Sequence, residues 1–187
     1  MNHYRLNNGV EIPVLGFGTW KAADGEEAYQ AVLAALKAGY RHIDTAAIYQ
    51  NEESVGRAIK DSGLAREDLF ITTKLWNTHH TYEDAQAALK ESLDKLGLDY
   101  IDLYLIHWPN PKPLRDNDAW KKRNAEVWRA MEDMLAAGKV RAIGISNFLP
   151  HHLEALLGTA RVIPAVNQIR LAPVSYTHLR AHETELH

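Results

Sequence analysis

Short apolar runs alternate with amphipathic segments along most of the chain, and each run ends on a polar residue. RHID stops at Asp44, LFITTK at Lys74, YIDLYLIH at His107, RAIGIS at Ser146, and AVNQI ends beside Gln168. Between them lie AYQAVLAALKAG, ESVGRAIKDSG, EDAQAALKESLDKLG, NAEVWRAMEDMLAAGK and PHHLEALLG, each patterned as a helix. Leu89, Leu93 and Leu96 share one helical face, as do Val127, Met131 and Leu135. Asp24 with Glu27 has capping-box spacing before the first helix, Gly39 is placed to end it, and Thr81 is placed to cap the third, with Gly97 behind it. Ahead of this pattern, Asn7-Asn8-Gly9 predicts a hairpin turn between two short strands.

Strands that alternate with helices cannot pair as hairpins, because each helix carries the chain back to start the next strand in the same direction. The pattern therefore predicts an α/β fold, a parallel sheet with helices outside it, and five barrel strands are expected. The units show no self-similarity of the kind a solenoid requires. Neither a linker nor a low-complexity segment divides the chain.

With 187 residues, 46% of them hydrophobic and 24% charged, the chain can bury one substantial core. A net charge of -3 leaves no basic footprint for nucleic acid. MNHYRLNNGV lacks the apolar core of a signal peptide, and no stretch is long enough to span a bilayer. With zero cysteines there are no disulfides and no thiol nucleophile. A cytoplasmic location is the default expectation, with neither nucleic acid nor membrane as a partner.

In a parallel barrel the C-terminal strand ends converge on one face, where catalytic groups sit. Asp44, Lys74, His107, Ser146 and Gln168 would meet there, with Tyr49 in the loop just beyond the first of them. A carbonyl that receives hydride develops negative charge on oxygen and needs a proton donor. Tyrosine, with an ordinary pKa of about 10, is too weak an acid near neutrality. An ammonium at Lys74 is expected to lower it, and Asp44 to keep Lys74 charged. His107 would orient the carbonyl oxygen or help with the proton. Ser146, Asn147 and Gln168 offer partners for a flat carboxamide such as that of nicotinamide. The hydride itself has to come from a cofactor, since no side chain supplies one.

Gly39 to Gly56, GYRHIDTAAIYQNEESVG, and Lys139 to Phe148, KVRAIGISNF, resemble the two signatures of the aldo-keto reductases. GFGTW, ITTKLW, DLYLIHWP and VNQI resemble the intervening blocks in the expected order, so the likeness runs from about Val10 to Pro173. LIHWPNP is most similar to the bacterial branch that includes 2,5-diketo-D-gluconate reductases. The resemblance implies a (β/α)8 TIM barrel and a catalytic tetrad of Asp44, Tyr49, Lys74 and His107, with Tyr49 the proton donor. It implies NADPH contacts from Thr19, Asp44, Ser146, Asn147 and Gln168. It also implies a substrate pocket lined by Trp20, Trp76, His107, Trp108 and Phe148. The expected reaction is reduction of small aldehydes, ketones or keto-sugars, in a parent that is a monomer. The alternative is a non-catalytic barrel or a cofactor-binding regulatory module.

Blander readings stand beside these. Asp44 and Lys74 alone would make a strand-end ion pair, and Lys74 alone would suit a Schiff base. The tryptophans would also serve as core filler. Gly16 and Gly18 do not form the glycine motif of a Rossmann site. Adjacent His79-His80 and His151-His152 have side chains that diverge on a helix or strand. His182 and His187 are one residue too far apart for a helical zinc motif, and His178 with His182 has no evident third ligand, so no metal is expected.

Eight barrel units take about 250 residues, so about five of the parent's βα units are expected here and about three are expected to be absent from this chain. They include the turn expected to grip the cofactor's 2'-phosphate. The barrel domain is expected over 1–173. Residues 174–187, VSYTHLRAHETELH, depart from the family and resemble translated adaptor read-through, with a genuine short helix the alternative.

Overall fold

The structure, a computed structural model, describes residues 2–170. The tail over 174–187, with His178, His182 and His187, and the boundary at Pro173 lie outside the described residues. The predicted hairpin is present. Strand β1 (His3–Arg5) pairs antiparallel with β2 (Glu11–Pro13), and the turn closes through Gly9 N–H donating to the Leu6 carbonyl at 2.9 Å. Leu6, Val10 and Ile12 of this hairpin pack on Phe70, Leu103, Leu105 and Ala142 inside the curled sheet. The hairpin thus stoppers the end of the sheet opposite the polar strand ends.

Six parallel strands follow in sequential order: β3 (Gly16–Gly18), β4 (His42–Asp44), β5 (Phe70–Leu75), β6 (Ile101–Ile106), β7 (Val140–Ser146) and β8 (Asn167–Gln168). Helices α1 (Glu26–Lys37), α2 (Glu52–Asp61), α3 (Tyr82–Leu96), α4 (Ala119–Ala136) and α5 (Pro150–Leu157) connect them. The result is five βα units and a sixth strand, one more strand than the five expected. The additional strand is β3, whose GFG carries no side-chain alternation to announce it. It exists because Gly16 and Gly18 pair in register with His42 and Asp44. Gly16 also permits a close approach, since a Cβ there would meet His42 Nδ1 at 2.7 Å.

Strands β5 and β6 are buried throughout, as strands covered on both faces must be. Their outward residues join Val32 and Leu36 of α1, Val55 and Ile59 of α2, Leu89 and Leu96 of α3, and Trp128 and Met131 of α4 in the main core. Thr81 caps α3 as predicted: its hydroxyl accepts from Asp84 N at 3.1 Å, while the Asp84 carboxylate accepts from Thr81 N at 3.2 Å. Asp24 does not cap α1. Its carboxylate accepts instead from the Ser54 hydroxyl at 2.6 Å, and the helix starts behind Gly25 without a side-chain cap. Helix α4 begins at Ala119 instead of Asn124 and buries Trp120. No helix of the described residues is long and apolar enough to cross a membrane.

Candidate active site

Asp44, Lys74 and His107 come together because β4, β5 and β6 are neighbours in the sheet and each residue lies at or near the C-terminal end of its strand. The register itself pairs Asp44 with Thr72 and Lys74 with Leu105. Lys74 is fully buried and its Nζ donates to Asp44 Oδ1 at 2.5 Å and to the Thr45 carbonyl at 2.9 Å. Asp44 Oδ2 accepts from Gln168 Nε2 at 2.8 Å, which ties β8 back to β4 across the curl of the sheet. A single 3-10 turn, Ala47–Tyr49, follows β4 and returns the Tyr49 ring over Lys74, with Nζ 5.3 Å from the ring centroid. The His107 ring stands edge-on to Tyr49 at 5.8 Å and to Trp76 at 5.2 Å. Asp44, Tyr49, Trp76 and His107 share a cleft of about 1070 Å³ whose lining also includes Trp20, Trp108, Ser146, Asn147 and Gln168, with Lys74 buried beside it.

The charges in this cleft follow from burial. Lys74 has its pKa lowered by desolvation, against which the Asp44 carboxylate favours the ammonium. His107 is pushed down to about 4, mainly by burial and further by the Lys74 charge, so it is neutral at pH 7. Among the described residues its Nδ1 is buried without a hydrogen-bond partner. Tyr49 departs from expectation. Lys74 does not lower its pKa, and the phenol is pushed up to about 12, first by burial and then by the negative charge of Asp44. The reason is geometric: with Asp44 at 2.5 Å the field of the ammonium is largely cancelled at the phenol, and desolvation wins.

The residues expected to contact a cofactor divide into two groups. Ser146, Asn147 and Gln168 line the cleft and are bonded to one another's segments. The Ser146 hydroxyl donates to the Gln168 carbonyl at 2.9 Å, and Asn147 Nδ2 donates to the His107 carbonyl at 2.9 Å. Thr19 is 1% exposed and does not line the cleft; its hydroxyl meets Thr45 Oγ1 at 3.0 Å. Of the expected substrate aromatics, Trp20, Trp76 and Trp108 line the cleft, whereas Phe148 is buried in the main core. Phe148 follows Asn147, whose left-handed φ of 62° turns the chain inward at that point.

Sequence reasoning missed Lys21, whose Nζ lies 4.8 Å from the Trp20 ring centroid at the cleft wall. It also missed Asn51, two residues beyond Tyr49, fully buried and bonded to both Thr19 and Thr45. The only local signal for Asn51 was a helix start, which hid the contacts it makes.

The model of the Aldo/keto reductase family matches residues 14–186. The chain is 53% identical over 169 residues to the glyoxal reductase of Bacillus subtilis, covering 90% of this chain and 58% of that protein. It superimposes on an aldo/keto reductase from Brucella melitensis with a TM-score of 0.84 at 47% identity, covering 96% of this chain and 67% of that one. On a Bombyx mori aldo-keto reductase in complex with NADP the TM-score is 0.81 at 40% identity, covering 97% of this chain and 63% of that one. The chain spans about 58% of the length of the glyoxal reductase it matches.

Proposed function

The chain belongs to the aldo/keto reductase family, and on that premise we propose that it serves an NADPH-dependent reduction of a small aldehyde, ketone or keto-sugar to the alcohol. The observation that carries this reading is the buried Lys74–Asp44 pair beneath the Tyr49 ring, with neutral His107 alongside. The relative named a glyoxal reductase supports a small carbonyl substrate, and the neighbour solved with NADP supports the cofactor.

The residues fit a nicotinamide group. Ser146, Asn147 and Gln168 put a hydroxyl and two planar amides on one wall of the cleft, a neutral donor and acceptor set suited to a carboxamide. NADPH, when bound, supplies the hydride that side chains lack. The chain's own residues manage the oxygen. Burial keeps the Tyr49 phenol protonated, so the proton is present when negative charge develops on the carbonyl oxygen. Tyr49 gives it up to that oxygen, because the alkoxide that forms there is a stronger base than the phenolate left behind. Asp44 keeps Lys74 charged in a buried seat, and Gln168 steadies the second carboxylate oxygen. His107, being neutral, orients the carbonyl by hydrogen bonding without competing for the proton.

The test is Tyr49→Phe, which removes one oxygen and keeps the ring. Reduction should fall by a factor on the order of 10²–10⁴, while NADPH binding, followed by its fluorescence, stays as it was. Turnover that persists in the variant, or weakened binding with normal turnover, would sink the assignment of Tyr49.

A further inference from the structure

Asn51 occupies the N-cap position of α2, where an asparagine side chain ordinarily accepts from the first amides of its own helix. Here it makes no such bond. Its side chain is fully buried and spent on three residues of two other segments. Nδ2 donates to the carbonyls of Thr19 and Ala22, each at 3.0 Å. Oδ1 accepts from the Thr45 hydroxyl at 3.1 Å and the Thr19 hydroxyl at 3.4 Å.

Thr19 and Ala22 are the two ends of one turn, closed by Ala22 N donating to the Thr19 carbonyl at 3.1 Å. Trp20 and Lys21 sit at its tip, and Lys21 has a left-handed φ of 72°. On the other side Gln50, between Tyr49 and Asn51, has a φ of 57°. Non-glycine residues hold such a conformation only where the surroundings over-determine it. Asn51 is bonded to the first of these turns and covalently adjacent to the second. Through Thr45, whose carbonyl accepts from Lys74 Nζ at 2.9 Å, it also reaches the seat of the lysine.

We propose that Asn51 is a positioning residue that fixes the Tyr49 phenol, the Trp20 wall and the Lys74 seat relative to one another, without taking part in proton transfer. The helix forgoes a side-chain cap, and the cleft gains a rigid joint between two loops that approach from different strands. The proposal rests on the reading of Tyr49 as proton donor.

The experiment measures residue-resolved backbone hydrogen exchange and steady-state reduction of a small aldehyde by NADPH. It uses the full chain and its Asn51→Ala and Asn51→Asp variants. Aspartate keeps the shape and the Oδ1 acceptor and removes both amide donors. The amides of Ala22 and Tyr49 should exchange about tenfold faster or more in both variants, while those of Ile71 and Ile145 in the core strands stay unchanged. The same variants should lose about tenfold or more in kcat with a smaller change in KM for the aldehyde, as expected of misplaced reacting groups. Unchanged exchange at Ala22 and Tyr49, or a wild-type kcat, overturns the proposal. So does exchange that rises equally at Ile71 and Ile145, or loss of the fold in both variants, since Asn51 would then be a general structural residue. A parent chain with no basal reduction refutes the functional reading instead, and the exchange pattern still decides the role of Asn51.

Discussion

Replacing His107 by glutamine should make the protein less sensitive to acid. His107 is 8% exposed, and burial together with the Lys74 charge pushes its pKa from the ordinary 6.5 to about 4. The unfolded chain therefore takes up a proton below pH 6.5 that the folded chain refuses, so this group contributes stability above 6.5 and loses it as pH falls toward 4. With those two values, proton linkage gives a loss of about 2 kcal/mol between pH 7 and pH 5, reaching about 3 kcal/mol by pH 4. The assay is urea unfolding of the parent and His107→Gln at pH 7 and pH 5, compared as a double difference. His42, His80 and His152 are also lowered, mainly by burial, and add to the acid sensitivity of both proteins equally. They cancel in the comparison. The parent should lose about 2 kcal/mol more than the variant over that interval. Equal losses would mean that His107 titrates near its ordinary value, and the neutral imidazole used in the proposed mechanism would lose its basis.

Two further predictions concern the frame that holds the site. Gly56 packs against the end of α3, where a Cβ would meet the Leu96 carbonyl carbon at 2.6 Å and its Cα at 2.7 Å. Gly56→Ala should therefore cost about 1–3 kcal/mol in urea unfolding, while Gly158→Ala, whose nearest contact is 3.5 Å, should leave the midpoint nearly unchanged. Asp102 is fully buried and accepts from Arg66 at 2.6 Å, Arg141 at 3.0 Å and the Ile71 amide at 2.8 Å. Asp102→Ala should cost about 2–3 kcal/mol, below the range for a wholly buried pair because both arginines reach solvent; a loss under about 0.5 kcal/mol would show that the cluster adds nothing.

The alternation of strands and helices, the hairpin, the cap at Thr81 and the polar residue at each strand end are legible in the residue order alone. These are local properties: a period of two or 3.6, a turn residue, a hydroxyl three positions from an amide. From them the meeting of Asp44, Lys74 and His107 followed once the strands were taken as parallel and sequential. Tertiary structure decided what depends on partners distant in the chain. Gly16–Gly18 is a strand only because β4 lies beside it, and Asp24 is no cap because Ser54 claims its carboxylate. Phe148 belongs to the core and Thr19 to a buried hydroxyl cluster, placements that no periodicity encodes. The same holds for charge. The sequence puts a lysine near a tyrosine, but the sign of the shift at Tyr49 depends on how closely Asp44 neutralises that lysine and how much water the fold removes. Asn51 carries both lessons: its position announces a helix start, and only the fold turns its side chain toward the site.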